Sequence, residues 1–136
     1  MPRPLSFGSV LRGLSVAFAF GLFWTIGTLL AWLVIPVVRL TTRDAVQRRR
    51  RAQAVMGWSF RWFNAGLACT GLYRSQIEGE IDAQPSVVIA NHPSVLDVTV
   101  LLGRFPHMCC VVKPSLMRAP FVAPMLRAGG HIAGSD

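Results

Sequence analysis

The chain has 136 residues, enough for one domain, and 52% of them are hydrophobic. Charge is unevenly placed: residues 1–72 hold nine arginines and one acid, Asp44, for a net of +8, while residues 73–136 hold five basic and five acidic residues. The neutral C-terminal half offers no extended basic face, which argues against nucleic acid, and a basic half that is also strongly apolar points to an anionic membrane surface.

Residues 1–13 carry Arg3 and Arg12, and residues 14–38 are then 25 positions without a charge. As a helix that stretch spans about 37 Å, more than the ~30 Å hydrocarbon core of a bilayer. It is too long for the apolar region of a signal peptide, and its one A-x-A match, Ala17-Phe18-Ala19, lies near its start. The expectation is an uncleaved membrane helix ending near Pro36. A helical hairpin in one leaflet is the rival, and a helix buried in a soluble core is the bland alternative. Arg39, Arg43, Arg48, Arg49, Arg50 and Arg51 follow, six arginines against two on the other flank. The positive-inside rule puts this side in the cytoplasm. Residues 44–72 read as a second helix, with Val55, Trp58, Trp62 and Gly66 on one face while Arg50, Arg61 and Asn64 tend away from it. Its tryptophans suit the headgroup level, and the arginine run suits acidic headgroups.

Residues 73–78 alternate as a strand, 79–85 form a turn, and the apolar run 86–90, bounded by Pro85 and Asn91, reads as a short buried strand. Residues 95–105 form an apolar helix closed by Gly103, and 107–113 another buried strand. Residues 114–127 hold one or two helical pieces interrupted by Pro120 and Pro124, and 131–133 look like a further strand start. The class is therefore α/β: membrane-associated helices over 1–72, then a partial α/β domain over 73–136. The three cysteines, Cys69, Cys109 and Cys110, are an odd count without a C-x-x-C pair. Reduced, buried thiols are the expectation. No glycine-rich nucleotide loop and no metal motif appears, so no cofactor and no metal is expected. His107 and His131 are left as structural residues.

Chemistry concentrates in Asn91-His92-Pro93-Ser94-Val95-Leu96-Asp97. A strand over 86–90 delivers these residues to the carboxyl edge of an open sheet, where ligands usually sit. His92 and Asp97 are five apart, so an unbroken helix does not bring them together. Across the bend at Pro93-Ser94 the carboxylate can fold back onto the imidazole, and a histidine held by a carboxylate is a general base. The competing account of Asp97 is structural, because Ser94-Val95-Leu96-Asp97 also fits the S-x-x-D capping box. For His92 the bland account is a histidine hydrogen-bonded at a strand end.

The H-x-x-x-x-D spacing, the preceding Asn91, the apolar run 86–90 and the hydrophobic basic segment upstream together resemble the glycerolipid acyltransferase superfamily, and within it the 1-acyl-glycerol-3-phosphate (lysophosphatidate) acyltransferases. The resemblance runs from about Leu14 onward and covers the first half of such an enzyme. It implies an acyl transfer in phospholipid biosynthesis, from an acyl carrier protein or coenzyme A thioester to a glycerol hydroxyl. His92 would be the base and Asp97 its orienting partner. Asn91, Ser94 and Lys113 are the candidate substrate-binding residues. Membrane lipids and the thioester carrier are the implied partners, and the cytoplasmic side of a bacterial inner membrane the implied location. Two departures stand out. The family's second motif ends in an arginine that the stretch 130–136 lacks, which opens the reading to other lipid acceptors. The later glutamate-glycine and proline motifs are not in the sequence. The chain is accordingly expected to be a fragment or a pseudo-enzyme, the alternative being a non-catalytic membrane-anchored basic module.

Overall fold

The computed structural model describes residues 7–71, 73–79, 87–91 and 94–135. The chain begins with helix α1 (Phe7–Leu29), which passes through a π-helical turn (Leu30–Val34) directly into α2 (Ile35–Thr41). The helix does not stop near Pro36, as the sequence predicts. Proline lacks an N–H and its ring crowds the carbonyl four residues back. The preceding turn widens to meet this, and the Ile35 N–H donates to the Leu30 carbonyl, five residues back. Hydroxyls along the helix donate to its own backbone: Thr25 to Gly21 at 2.8 Å and Thr28 to Trp24 at 2.8 Å. An apolar surround would otherwise leave them unpaired.

Helix α3 (Ala45–Cys69) starts where Asp44 caps it, the carboxylate accepting from the Gln47 N–H at 2.7 Å. It is the central support of the fold. Buried Ala52 and Met56 meet Ala31 and Ile35 from the first helix and Met125 from helix α6 (Ala123–Gly129). Phe23 of α1 packs on Phe63 and Phe60, with ring centroids 4.5 Å and 5.9 Å apart. A further face of α3 receives helix α4 (Val95–Arg104). Gly57 is there because the chain leaves no room: a Cβ on it would lie 2.5 Å from Cβ of Pro106.

Strand β1 (Val111–Val112) pairs in parallel with β2 (Ile132–Ala133), in the register Val111 to Ile132. Between them run α5 (Pro114–Arg118) and α6. Pro124 opens α6 rather than interrupting it, since a first-turn proline gives up no intrahelical hydrogen bond. Gly130 ends α6 in the left-handed conformation, φ +75°. The His131 N–H then reaches back to the Leu126 carbonyl at 3.1 Å.

Several expectations are corrected. Residues 73–78 and 87–90 are irregular rather than strands, and Val87 and Ile89 are 90% and 94% exposed. An extended segment becomes a strand only when a ladder partner takes its N–H and C=O groups, and among the described residues no such partner lies beside these. The strand expected over 107–113 contracts to two residues, with Val111 exposed rather than buried. Gly103 does not close α4. The helix runs one residue beyond it, and the missing side chain admits the backbone of Arg61. No two cysteines are paired among the described residues, and Cys69 and Cys109 are exposed and Cys110 half-buried rather than buried. Cys69 sits at the solvent-facing end of α3, and Cys109 precedes the ladder, beside the Arg49 guanidinium.

Candidate active site

Ser94 has extended backbone angles (φ −128°, ψ 146°) and is the N-cap of α4. Its hydroxyl accepts from the Leu96 N–H at 3.1 Å, and Asp97 Oδ2 accepts from the Ser94 N–H at 3.1 Å. These two bonds make the capping box that the S-x-x-D spacing predicts. They place a half-buried carboxylate in the first turn of α4, where the helix dipole favours negative charge. The same bonds fix the chain direction from Ser94 into α4.

His92 and Pro93 lie outside the described residues, as does position 86 of the run 86–90. Asn91 is exposed and irregular. Lys113 is exposed at the carboxyl end of β1 and begins the turn into α5, its carbonyl accepting from the Leu116 N–H at 3.0 Å. The sequence-predicted residues therefore divide into groups. Ser94 and Asp97 are joined by reciprocal hydrogen bonds, and Lys113 stands at the carboxyl edge of the ladder, the edge where open α/β sheets hold ligands.

Two features add to the sequence reading, which left His131 simply as a structural residue. An apolar groove of about 830 Å³ opens between α1, α3 and α4, with Phe18, Leu22, Trp58, Trp62, Phe63 and Val98 among its walls. Its volume lies within the range of ligand pockets. Val98 directly follows Asp97, so the groove reaches the helix that carries the carboxylate. The signal for it was in α3, where the tryptophan face is apolar and too broad for one neighbour. The second feature is His131, only 5% exposed at the amino end of β2. The Cys110 N–H donates to its Nδ1 at 3.0 Å, and its Nε2 has no partner among the described residues. Burial pushes its pKa below the usual histidine range, and the Arg49 guanidinium adds to that depression. Burial favours its neutral form, and a Cβ on Gly129 would lie 3.2 Å from the His131 ring. Among the described residues no group of three His, Cys, Asp or Glu side chains gathers to hold a metal ion.

Residues 71–135 match the family model Acyltransferase. That segment is similar to the acyltransferase family, a match consistent with the glycerolipid acyltransferase superfamily. The match spans the whole of the Asn91 to Asp97 stretch, α4, the β1–β2 pair and the helices between them. It supports an acyltransferase role for the chain. Comparison with curated proteins and with solved structures yields no match. Upstream of the acyltransferase segment, Val10–Thr41 is one helix long and apolar enough to cross a membrane, with little of its surface buried, which suggests membrane association.

Proposed function

We propose that the chain moves a fatty acyl group from an acyl carrier protein or coenzyme A thioester to a hydroxyl of a lysophospholipid-type acceptor, 1-acyl-glycerol-3-phosphate being the first candidate. The observation that carries this reading is the acyltransferase match across the H-x-x-x-x-D stretch. An alcohol is a poor nucleophile at neutral pH, so His92 takes its proton as the oxygen attacks the thioester carbonyl. The new C–O bond forms, the C–S bond breaks, and the imidazolium returns the proton to the leaving thiolate. A positioned base of this kind contributes about 10²–10⁴-fold. Asp97 holds the other ring nitrogen as N–H and balances the imidazolium charge. The groove beside α4 suits an acyl chain, being apolar and continuous with the membrane-length helix. Lys113, at the carboxyl edge of the ladder, suits an acceptor phosphate. The arginines flanking the apolar helix suit the anionic cytoplasmic face of a bacterial inner membrane.

The observed capping box favours a second reading, in which Asp97 serves the helix alone and the chain is a non-catalytic membrane-anchored module. Reconstitution in phospholipid vesicles separates the two. With an acyl thioester and 1-acyl-glycerol-3-phosphate, thiol release should match ester formed, and His92→Ala should lower the rate by at least roughly 10²-fold while the protein stays in the vesicles. An unchanged rate in His92→Ala would remove the proposed base.

A further inference from the structure

Where α3 meets α4, a hydroxyl is sealed between two helices. Thr99 is 2% exposed. Its Oγ1 donates to Asn64 Oδ1 at 2.9 Å and to the Leu96 backbone carbonyl at 2.7 Å, so one proton serves two acceptors. A helical threonine commonly bonds a carbonyl in the preceding turn. Here a second oxygen is brought in from a different helix, 35 positions earlier in the chain. The Leu96 carbonyl belongs to the peptide unit that joins Leu96 to Asp97. The N–H of that same unit donates to the Ser94 carbonyl at 3.2 Å. A continuous set of bonds thus runs from the Asn64 amide through the Thr99 hydroxyl to the peptide that carries Asp97. At the far end of α4, Arg61 of α3 donates to the Gly103 carbonyl at 3.2 Å. With both ends pinned to one rigid partner, α4 has little freedom to rotate about its axis or to slide.

We propose that Asn64 and Thr99 are a positioning pair for acyl transfer, acting through α4 to set where the Asp97 carboxylate meets the imidazole of His92. The inference rests on the His92–Asp97 assignment above and goes beyond it by naming which residues hold that geometry. Thr99 borders the groove beside α4 but is 2% exposed, and Asn64 is not among the groove's walls. Their effect is on placement, and misplacement by about 1 Å can cost a site roughly 10²-fold.

The test uses the full chain in lipid nanodiscs, with ring-labelled histidines followed by NMR and kinetics measured alongside. A carboxylate beside an imidazole favours its charged form, so the proposed dyad predicts a His92 midpoint that depends on Asp97. Thr99→Val, which exchanges the hydroxyl for a methyl, should lower that midpoint by roughly half to one pH unit. It should reduce kcat by roughly tenfold with KM changed less than twofold. Asn64→Leu should do the same, Thr99→Ser should recover the wild-type midpoint and rate, and the Asn64→Leu/Thr99→Val double variant should be no worse than either single one. A His92 midpoint unchanged in Thr99→Val, or a Thr99→Ser variant as impaired as Thr99→Val, overturns the positioning role. Asp97→Asn tells the two failures apart. If it shifts the His92 midpoint while Thr99→Val does not, the dyad stands and the positioning pair is wrong. If neither shifts it, the dyad itself fails and takes the pair with it.

Discussion

The carboxylate of Asp97 offers about four lone-pair positions, and the Ser94 N–H takes one of them at Oδ2. Capping and orienting an imidazole are therefore compatible uses of one side chain, and the turn that caps α4 also fixes where the carboxylate stands. His131 poses the opposite problem, a titratable group whose neutral form burial favours. Its folded pKa lies below the ordinary value, so near that value the unfolded chain binds more protons than the folded one. The stability it contributes is complete above about pH 6.5 and is lost as pH falls through the depressed folded value. Thermal unfolding followed between pH 7.5 and pH 5 should show this loss, and His131→Gln should flatten the dependence. An identical slope in the variant would assign the pH dependence elsewhere. The capping role of Asp97 was legible from the sequence because its spacing to Ser94 is local. His131 was read as structural, but its partner Cys110 was not legible, nor was the Asn64–Thr99 contact, because these pairs lie 21 and 35 positions apart. Periodicity identifies a face of a helix without saying what will cover it.

Among the elements, helices were more legible than strands for a physical reason. A helix satisfies its hydrogen bonds from its own segment, so a charge-free run over 14–38 and Asp44 ahead of an amphipathic stretch suffice to announce α1 and α3. A strand is completed by a partner, and the apolar character of 87–90 does not supply one. Pro36 misled for a related reason: the rule that proline ends helices omits the wider turn, which lets Ile35 bond to Leu30 and the helix continue. The contact between α3 and α4 carries its own test. Gly57→Ala would put a methyl 2.5 Å from Pro106 Cβ and 3.1 Å from the Leu102 carbonyl, with backbone on one side and a ring on the other. Such overpacking should destabilise the chain by about 1–3 kcal/mol, read as a lowered unfolding midpoint in detergent. Gly66→Ala, at a position with nothing within 4 Å, is the control and should be neutral or slightly stabilising.

At the scale of the whole molecule, the charge asymmetry in the sequence becomes a spatial one. The first helix exposes Leu14, Phe18, Leu22, Leu29 and Leu33, while Trp58 and Trp62 protrude from α3 beside it, 52% and 64% exposed. That apolar surface, next to the arginine-rich start of α3, fits a bilayer and its anionic headgroups better than water. The chain should therefore sediment with membranes and resist alkaline carbonate. Release by salt alone would mean that the arginines, and not the apolar helix, hold it. The account's central claim is chemical, that His92 transfers an acyl group with Asp97 as its partner, and one variant addresses it most directly. In vesicle-reconstituted protein, Asp97→Asn should keep the cap, since asparagine is tolerated in a first helical turn, and lower the unfolding midpoint by only about a few degrees. An amide neither holds the ring in the required tautomer nor balances an imidazolium, so kcat should fall by roughly 10²-fold or more. Near wild-type turnover in Asp97→Asn would contradict the account.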